Sequence, residues 1–190
     1  MIGILGVAFI IMFFVLIALT VIIKLFDGEK ILVLGKKDKR ELIFGLFYFL
    51  LLYIILSNET ALPMPEAINA YFWHNTAVRI IGVGFCALGT IGYIICTINF
   101  WQSVRIGVDY EHAGKLTTTG IYAVSRNPMY VSFLIIFFGE FLIFPNIGLA
   151  LAVVVAGLSF HVQILKEEKF LKSHYGQDYA HYCSKVRRYL

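Results

Sequence analysis

The segment from Arg126 to Tyr130, RNPMY, holds residues whose types and order suit a binding site. Asn is a preferred N-cap residue and Pro is favoured in the first turn, so Asn127 and Pro128 predict a helix start. The free N–H groups at a helix start favour an anion, such as a ligand's carboxylate or phosphate. Arg126 either takes part in that site or extends its charge to lipid phosphates.

Two adjacent carboxylates, Glu167 and Glu168, follow a long apolar run. Because residues three or four apart share a helix face, Glu167 faces with Gln163, and Glu168 faces with His161. Only one of the two carboxylates therefore points fully into a given pocket. The alternative interpretation is a solvated helix end, in which neighbouring lysines alternate with the carboxylates.

Two ionisable residues, Glu140 and His161, stand inside apolar runs, where such residues are functional candidates. Glu140 either acts within the membrane or reaches its outer interface near Pro145. His161 is either a functional group or a core histidine bonded to a backbone carbonyl. The cysteines, Cys86, Cys96 and Cys183, have no metal-site spacing and are interpreted as small apolar fillers.

The composition requires that lipid be part of this chain's solvent. Of 190 residues, 59% are hydrophobic and 15% are charged, and the mean hydropathy is +0.81. Apolar runs suited to a hydrocarbon core of ~30 Å occupy Gly3–Phe26, Leu42–Ser57, Ile80–Phe100, Met129–Phe144 and Ile147–Leu165. We therefore predict an all-α fold, a polytopic bundle of five transmembrane helices with a C-terminal amphipathic helix.

The distribution of Lys and Arg orients these helices. Basic residues are concentrated after the first run, within 101–127 and in the tail after Leu165. The positive-inside rule therefore predicts an external N-terminus and a cytoplasmic C-terminus. The first run lacks a basic n-region and a small-residue cleavage site, so we expect a retained helix.

A tight turn at Pro145-Asn146 joins the fourth and fifth runs. Their cytoplasmic ends are therefore neighbours, which brings RNPMY close to Gln163–Glu168. We predict one membrane domain over 1–190, with three helices in 1–100 and the cofactor-binding and catalytic half in 101–190. Four residues of the third run are expected to allow close helix approach: Gly82, Gly84, Gly89 and Gly92.

The amphipathic tail carries Tyr175, Tyr179 and Tyr182, which are spaced to share one helix face. The tail either lies on anionic lipid as an interfacial helix or covers a cofactor with these rings.

The ordered segments TTGIY, RNPMY, a helical hairpin, EE, YGQDYAHY and VRRYL resemble one known superfamily. It comprises the isoprenylcysteine carboxyl methyltransferases and phospholipid methyltransferases, which are integral membrane enzymes. The resemblance covers about Ser103 to Leu190. It implies S-adenosyl-L-methionine as cofactor and a lipid or other lipophilic acceptor that enters from the bilayer. Membrane lipids are the other expected partners, and nucleic acid is not.

The resemblance also implies roles for individual residues. Cofactor contacts are expected from Leu116, Thr117, Tyr122, Asn127, Pro128, Met129, Tyr130 and Glu167. Catalytic roles are expected from Arg126, His161, Gln163 and Glu168. An amine acceptor would need His161 or Glu168 to remove its proton, whereas a carboxylate acceptor needs no base. Methyl transfer is an in-line displacement at a sulfonium methyl group, and it needs no metal.

Three positions depart from the family pattern: Asn127 replaces a histidine, Ser132 a glycine, and Gln163 an arginine. In the prenylcysteine enzymes the resemblance assigns that arginine to the substrate carboxylate. A neutral amide cannot make the same bidentate pair, which argues against a prenylcysteine acceptor unless Arg105 supplies the charge. The substitution at Asn127 resembles bacterial relatives, so a bacterial or archaeal cell membrane is expected.

Two other functions compete with methyl transfer. Membrane sterol reductases are similar in the same C-terminal helices and use NADPH, although they are usually longer. A non-catalytic membrane scaffold that kept the fold is the second alternative.

Overall fold

The computed structural model describes residues 1–26, 40–60, 62–99 and 116–190. Six α-helices lie in these ranges: α1 (Ile2–Phe26), α2 (Arg40–Ser57), α3 (Glu66–Asn69), α4 (Thr76–Asn99), α5 (Pro128–Ile143) and α6 (Ile147–Lys185). A 3-10 turn, Gly120–Ala123, precedes α5. The described ranges contain no β-strand, so the predicted all-α class is confirmed for them.

Three helices are long and apolar enough to cross a membrane: α1 over Ile2–Ile23, α4 and α6. The other two predicted runs also form helices, but α5 has only 16 residues. The count of five spans therefore stays a prediction. The end predicted for the fifth run at Leu165 is wrong, because α6 continues to Lys185 with one interruption at Gly176.

Helices α4 and α5 pack antiparallel through small residues. A Cβ built on Gly82 would lie 2.7 Å from the carbonyl oxygen of Gly139, and Gly89 and Gly92 approach Ser132 in the same way. No atom lies within 4 Å of a Cβ at Gly84. The prediction of close approach is therefore confirmed for three of the four glycines and wrong for Gly84.

The turn between α5 and α6 forms as predicted. The side chain of Asn146 accepts a hydrogen bond from the Leu149 N–H at 2.9 Å and so caps α6. Its amide also donates to the Asn58 side chain at 3.0 Å, which ties the turn to the end of α2. This short connection keeps α5 and α6 antiparallel and holds the start of α5 next to the middle of α6.

Aromatic rings fill the interior between α1, α4, α5 and α6. The ring of Phe13 packs edge-on against Phe133 at 5.0 Å, and Phe133 in turn contacts Phe160 of α6 at 5.8 Å. Glu140 is fully buried in this interior, and its Oε2 atom has no hydrogen-bond partner in the described ranges. The alternative that Glu140 reaches the outer interface is therefore wrong.

The break at Gly176 turns the last part of α6 back over the start of α5. Gly176 has φ 51° and ψ −116°, a backbone region that is essentially restricted to glycine. Beyond it, Tyr179 and Tyr182 are buried. The predicted single face with Tyr175 does not form, because the break separates Tyr175 from the other two tyrosines.

We expect Gly176→Ala to loosen this returning segment. A Cβ at Gly176 meets no atom within 4 Å, so the cost is backbone strain alone, about 1–3 kcal/mol. Limited trypsin digestion should therefore cut the tail faster than in the parent protein. Gly157→Ala in the same helix is the matched control, because its Cβ only touches Leu134 at 3.9 Å. Equal cleavage of both variants would contradict this account of the turn.

Candidate functional site

The start of α5 is where the structure brings the predicted site residues together. Pro128 begins the helix, as the sequence predicts, and Asn127 occupies the N-cap position. The Asn127 side chain makes no capping bond, so that detail of the prediction is wrong. Its amide group instead donates to the Arg188 carbonyl at 3.0 Å, while the backbone N–H of Asn127 donates to Ser125 Oγ at 3.1 Å.

Glu167 is the centre of a first cluster, which lies between α5 and α6. Its Oε1 atom accepts hydrogen bonds from the Tyr130 hydroxyl at 2.7 Å and from the Gln163 amide at 3.0 Å. In the part of the chain that the structure describes, no Lys, Arg or His pairs with this carboxylate. A cationic ligand group would therefore complement and stabilise the charged form of this carboxylate.

Glu168 is the centre of a second cluster that is rich in positive charge. The Arg188 guanidinium donates from Nε at 3.1 Å to both carboxylate oxygens and from Nη2 at 2.8 Å to Oε2. Arg126 Nη1 lies 3.3 Å from Glu168 and also contacts Cys183 Sγ. The Nε atom of Arg126 is buried without a partner among the described residues. Two guanidinium groups thus share one carboxylate.

The helix-face argument correctly separated the two carboxylates. Glu167 joins Gln163 and Tyr130, whereas Glu168 joins Arg126 and Arg188. The prediction that RNPMY lies next to the Gln163–Glu168 segment is therefore confirmed. The roles of these residues in a reaction stay predictions.

The 3-10 turn places Tyr122 behind the start of α5. Its ring is buried, its carbonyl accepts from the Tyr182 hydroxyl at 2.6 Å, and burial raises the pKa of its phenol above the usual range. Leu116 and Thr117 lie half-buried in irregular chain before this turn, and Met129 is half-buried in the first turn of α5. Arg105, the proposed source of extra charge, lies outside the described residues.

His161 is exposed, and its Nδ1 atom shares a hydrogen bond with the Tyr189 hydroxyl. The alternative of a core histidine bonded to a backbone carbonyl is therefore wrong. Tyr189 also lines an apolar groove of about 300 Å³ on the side of α5. The remaining lining residues are Phe85, Val131, Leu134, Ile135, Phe138 and Leu190. Four of them share one face of α5 at helical spacing.

Residues in the last turn of α6 and after it are the part of the site that the sequence did not predict. Arg188 and Tyr189 contact Glu168 and His161, and Cys183 contacts Arg126. The motif VRRYL contributed to the family resemblance, but nothing in its composition indicates which residues it contacts. Cys183 therefore differs from Cys86 and Cys96, which are buried as predicted.

Comparison with known proteins agrees with the resemblance. A family model described as phospholipid methyltransferase matches residues 78–178. Two proteins named "Probable protein-S-isoprenylcysteine O-methyltransferase", from Oryza sativa subsp. indica and subsp. japonica, are each 29% identical over 129 residues. That match covers 66% of this chain and 65% of each rice protein.

A third relative, "Protein-S-isoprenylcysteine O-methyltransferase B" of Arabidopsis thaliana, is 36% identical over 90 residues. Its match covers 46% of this chain and 44% of the Arabidopsis protein. The chain thus spans less than two thirds of the length of these curated relatives. The family model covers more than half of the chain and includes most of α4, all of α5 and most of α6. The chain therefore belongs to the phospholipid methyltransferase family.

Proposed function

We propose that this protein is an integral membrane methyltransferase that uses S-adenosyl-L-methionine and acts on a lipophilic acceptor. The observation that carries the proposal is the Glu167 cluster, a carboxylate held by Tyr130 and Gln163 next to the start of α5. This carboxylate suits the positive charge of the methyl donor. Family membership and the related plant methyltransferases support the same activity.

The proposed donor site uses the residues that the sequence analysis assigned to the cofactor. Glu167 would hold a cationic group, while Tyr130 keeps its carboxylate oriented. Asn127, Pro128 and Met129 would form one wall, with Tyr122 behind them and with Leu116 and Thr117 at the entrance. When bound, S-adenosyl-L-methionine supplies a methyl group on a positively charged sulfur. The protein contributes mainly orientation and exclusion of water.

The Gln163 side chain is compatible with an acceptor that carries a proton on its nucleophile. One N–H of its amide donates to Glu167, which leaves the carbonyl oxygen and the second N–H to meet a ligand. A carbonyl oxygen accepts a hydrogen bond from an amine and repels a carboxylate. His161 or Glu168 would remove the amine proton, and Tyr189 would orient the His161 ring. Arg126 and Glu168 would lie at the headgroup boundary.

The apolar groove supports a hydrocarbon chain on the acceptor. At one end of the groove Tyr189 both lines it and contacts His161, so the groove lies next to this candidate acceptor residue. Its far end is formed by Phe85 and Phe138, whose rings meet edge-on at 5.4 Å. We place the acceptor's chain between these two ends, over about two turns of α5.

Phe138→Ala should shift the preferred acceptor chain towards greater length. Removing this ring opens the far end of the groove, and each additional buried CH2 contributes roughly 0.8 kcal/mol. We expect roughly a 3- to 10-fold gain in kcat/KM for the next longer alkyl amine in a graded series. Phe141→Ala is the matched control, because Phe141 packs on Phe72, Trp73 and Phe138 but does not line the groove. An unchanged chain-length profile in Phe138→Ala would remove the groove from the acceptor site.

The direct test of the proposed function is calorimetric titration of the purified protein with S-adenosylhomocysteine and, separately, with NADPH. Saturable binding of S-adenosylhomocysteine alone supports the methyltransferase. Binding of NADPH alone would support a sterol-reductase-like enzyme, and binding of neither by folded protein would favour a scaffold.

The proposal also includes the orientation of the protein in the membrane. The N-terminus would lie outside and the site would face the cytoplasm, because the basic segments flank the inner ends of α5 and α6. We propose five spans within a single membrane domain over 1–190, with the donor and acceptor sites in 101–190.

A further inference from the structure

The last five residues, Val186–Leu190, form an extended strap across the start of α5. Arg187 makes a parallel β-bridge with Ser125, and its carbonyl accepts from the Arg126 N–H at 3.0 Å. The next carbonyl, that of Arg188, accepts from the Asn127 amide at 3.0 Å. The strap lies beyond residues 78–178, which the family model matches.

The Arg188 side chain is a further attachment of the strap. Its guanidinium makes a bidentate pair with Glu168, and Glu168 is in turn 3.3 Å from Arg126. Bidentate pairs of this kind fix geometry as well as charge. Arg188 therefore makes two attachments. Its backbone carbonyl accepts a hydrogen bond from Asn127, and its side chain pairs with Glu168 of α6.

The attachments of the strap are groups that the proposed function gives to ligand binding. Asn127 belongs to the proposed donor wall, and His161, which contacts Tyr189, belongs to the acceptor side. Release of the strap would free the Asn127 amide and leave Arg126 as the remaining basic partner of Glu168. The position of the strap therefore determines how these side chains are arranged.

We propose that Arg188 is a positioning residue, which holds the strap closed and thereby orders Asn127 and Arg126 for binding of the methyl donor. This inference rests on the proposed function. If a closed strap strengthens donor binding, then a bound donor must strengthen strap closure by the same factor, because the two equilibria share one thermodynamic cycle. A purely structural attachment has no such reciprocal effect.

The first measurement is the affinity for S-adenosylhomocysteine in three variants. Arg188→Ala should bind it about 10-fold more weakly, since couplings of this kind are typically ~5–150-fold. Arg188→Lys keeps the charge without the bidentate geometry and should lie between Arg188→Ala and the parent protein. Arg187→Ala is the matched control, because it removes the same charge from an exposed neighbour whose backbone makes the strap contacts. It should bind like the parent protein.

The second measurement follows the strap directly. Trypsin cleaves after Lys185, Arg187 and Arg188, and intact mass distinguishes the three products. The rate of cleavage after Arg187 and Arg188 therefore reports strap opening. Saturating S-adenosylhomocysteine should slow this cleavage about 10-fold in the parent protein, and less than 3-fold in Arg188→Ala, where cleavage after Arg187 remains possible.

The results separate the two proposals. If the parent protein binds no S-adenosylhomocysteine, the proposed function fails and this inference fails with it. If the parent protein binds S-adenosylhomocysteine and both Arg188→Ala and Arg188→Lys bind it as tightly as the parent protein does, only the role of Arg188 is overturned. Ligand-independent trypsin cleavage in a parent protein that binds the ligand would likewise overturn the coupling. Should Arg188→Ala not fold, Arg188→Lys and the cleavage of the parent protein decide the question.

Discussion

Glu167→Gln is expected to lower the affinity for S-adenosyl-L-methionine by roughly 10- to 100-fold. The substitution keeps the shape of the side chain and removes a charge that the described residues stabilise only through Tyr130 and Gln163. A charge-assisted hydrogen bond contributes about 1.5–3 kcal/mol, which corresponds to this range of affinity. Calorimetric titration in detergent with lipid measures the affinity of the variant and of the parent protein.

The same variant also indicates which positive group of the donor meets Glu167. S-adenosylhomocysteine keeps the amino group of the donor but lacks the sulfonium charge. An equal loss of affinity for both molecules would place the carboxylate at the amino group, and a loss for S-adenosyl-L-methionine alone would place it at the sulfur. Asp178→Asn is the matched control, since it neutralises an exposed carboxylate on the same helix. Parent-like binding of both molecules by folded Glu167→Gln would exclude Glu167 from the site.

Tyr130→Phe refines this result within the same experiment. Removing its hydroxyl deletes the 2.7 Å hydrogen bond to Glu167 and should weaken binding by a smaller factor, roughly 5- to 10-fold. If Tyr130 acts through Glu167, the double variant should bind about as weakly as Glu167→Gln alone. Additive losses would instead assign Tyr130 a separate contact with the ligand.

The helical architecture followed from the sequence because apolar runs, prolines and capping residues are local signals. Asn146 and Pro145 define the turn before α6, and Asn127-Pro128 defines the start of α5. The predicted end of α6 at Leu165 was wrong because it also relied on a local signal. Charged residues after Leu165 signal a departure from hydrocarbon but do not stop a helix, which continues until Gly176 adopts a conformation that other residues avoid.

The site was only partly predictable because its contacts differ in kind. Some follow from helical spacing or from one tight turn, whereas others join residues far apart in the sequence. The pairing of Tyr130 with Glu167 follows from one tight hairpin, and the separation of Glu167 from Glu168 follows from helical spacing. The contact between Asn127 and Arg188 spans 61 residues and depends on how the tail returns after Gly176. No local pattern encodes that return, so the capping role assigned to the Asn127 side chain was wrong.

The close approach of α4 and α5 leads to the largest expected effect on stability. A Cβ at Gly139 would lie 2.6 Å from Cys86 Sγ, 2.7 Å from the Gly82 carbonyl oxygen and 2.8 Å from the Cys86 backbone nitrogen. Two of these atoms belong to backbone, so they can move only if the helices separate. Within a membrane, helices associate mainly through such packing and not through the hydrophobic effect.

Gly139→Ala should therefore destabilise the protein by about 2–3 kcal/mol, near the upper end of overpacking costs. For a chain of this size, that corresponds to a thermal midpoint lower by roughly 5–10 °C in detergent. Gly84→Ala makes the same chemical change on α4 where no atom lies within 4 Å of the new Cβ. It should leave the midpoint unchanged or raise it slightly, because Ala favours a helix by about 1 kcal/mol over Gly. A similar fall in both variants would assign the effect to glycine loss in general, whereas a fall in Gly139→Ala alone would show that the close α4–α5 contact at Gly139 stabilises the fold.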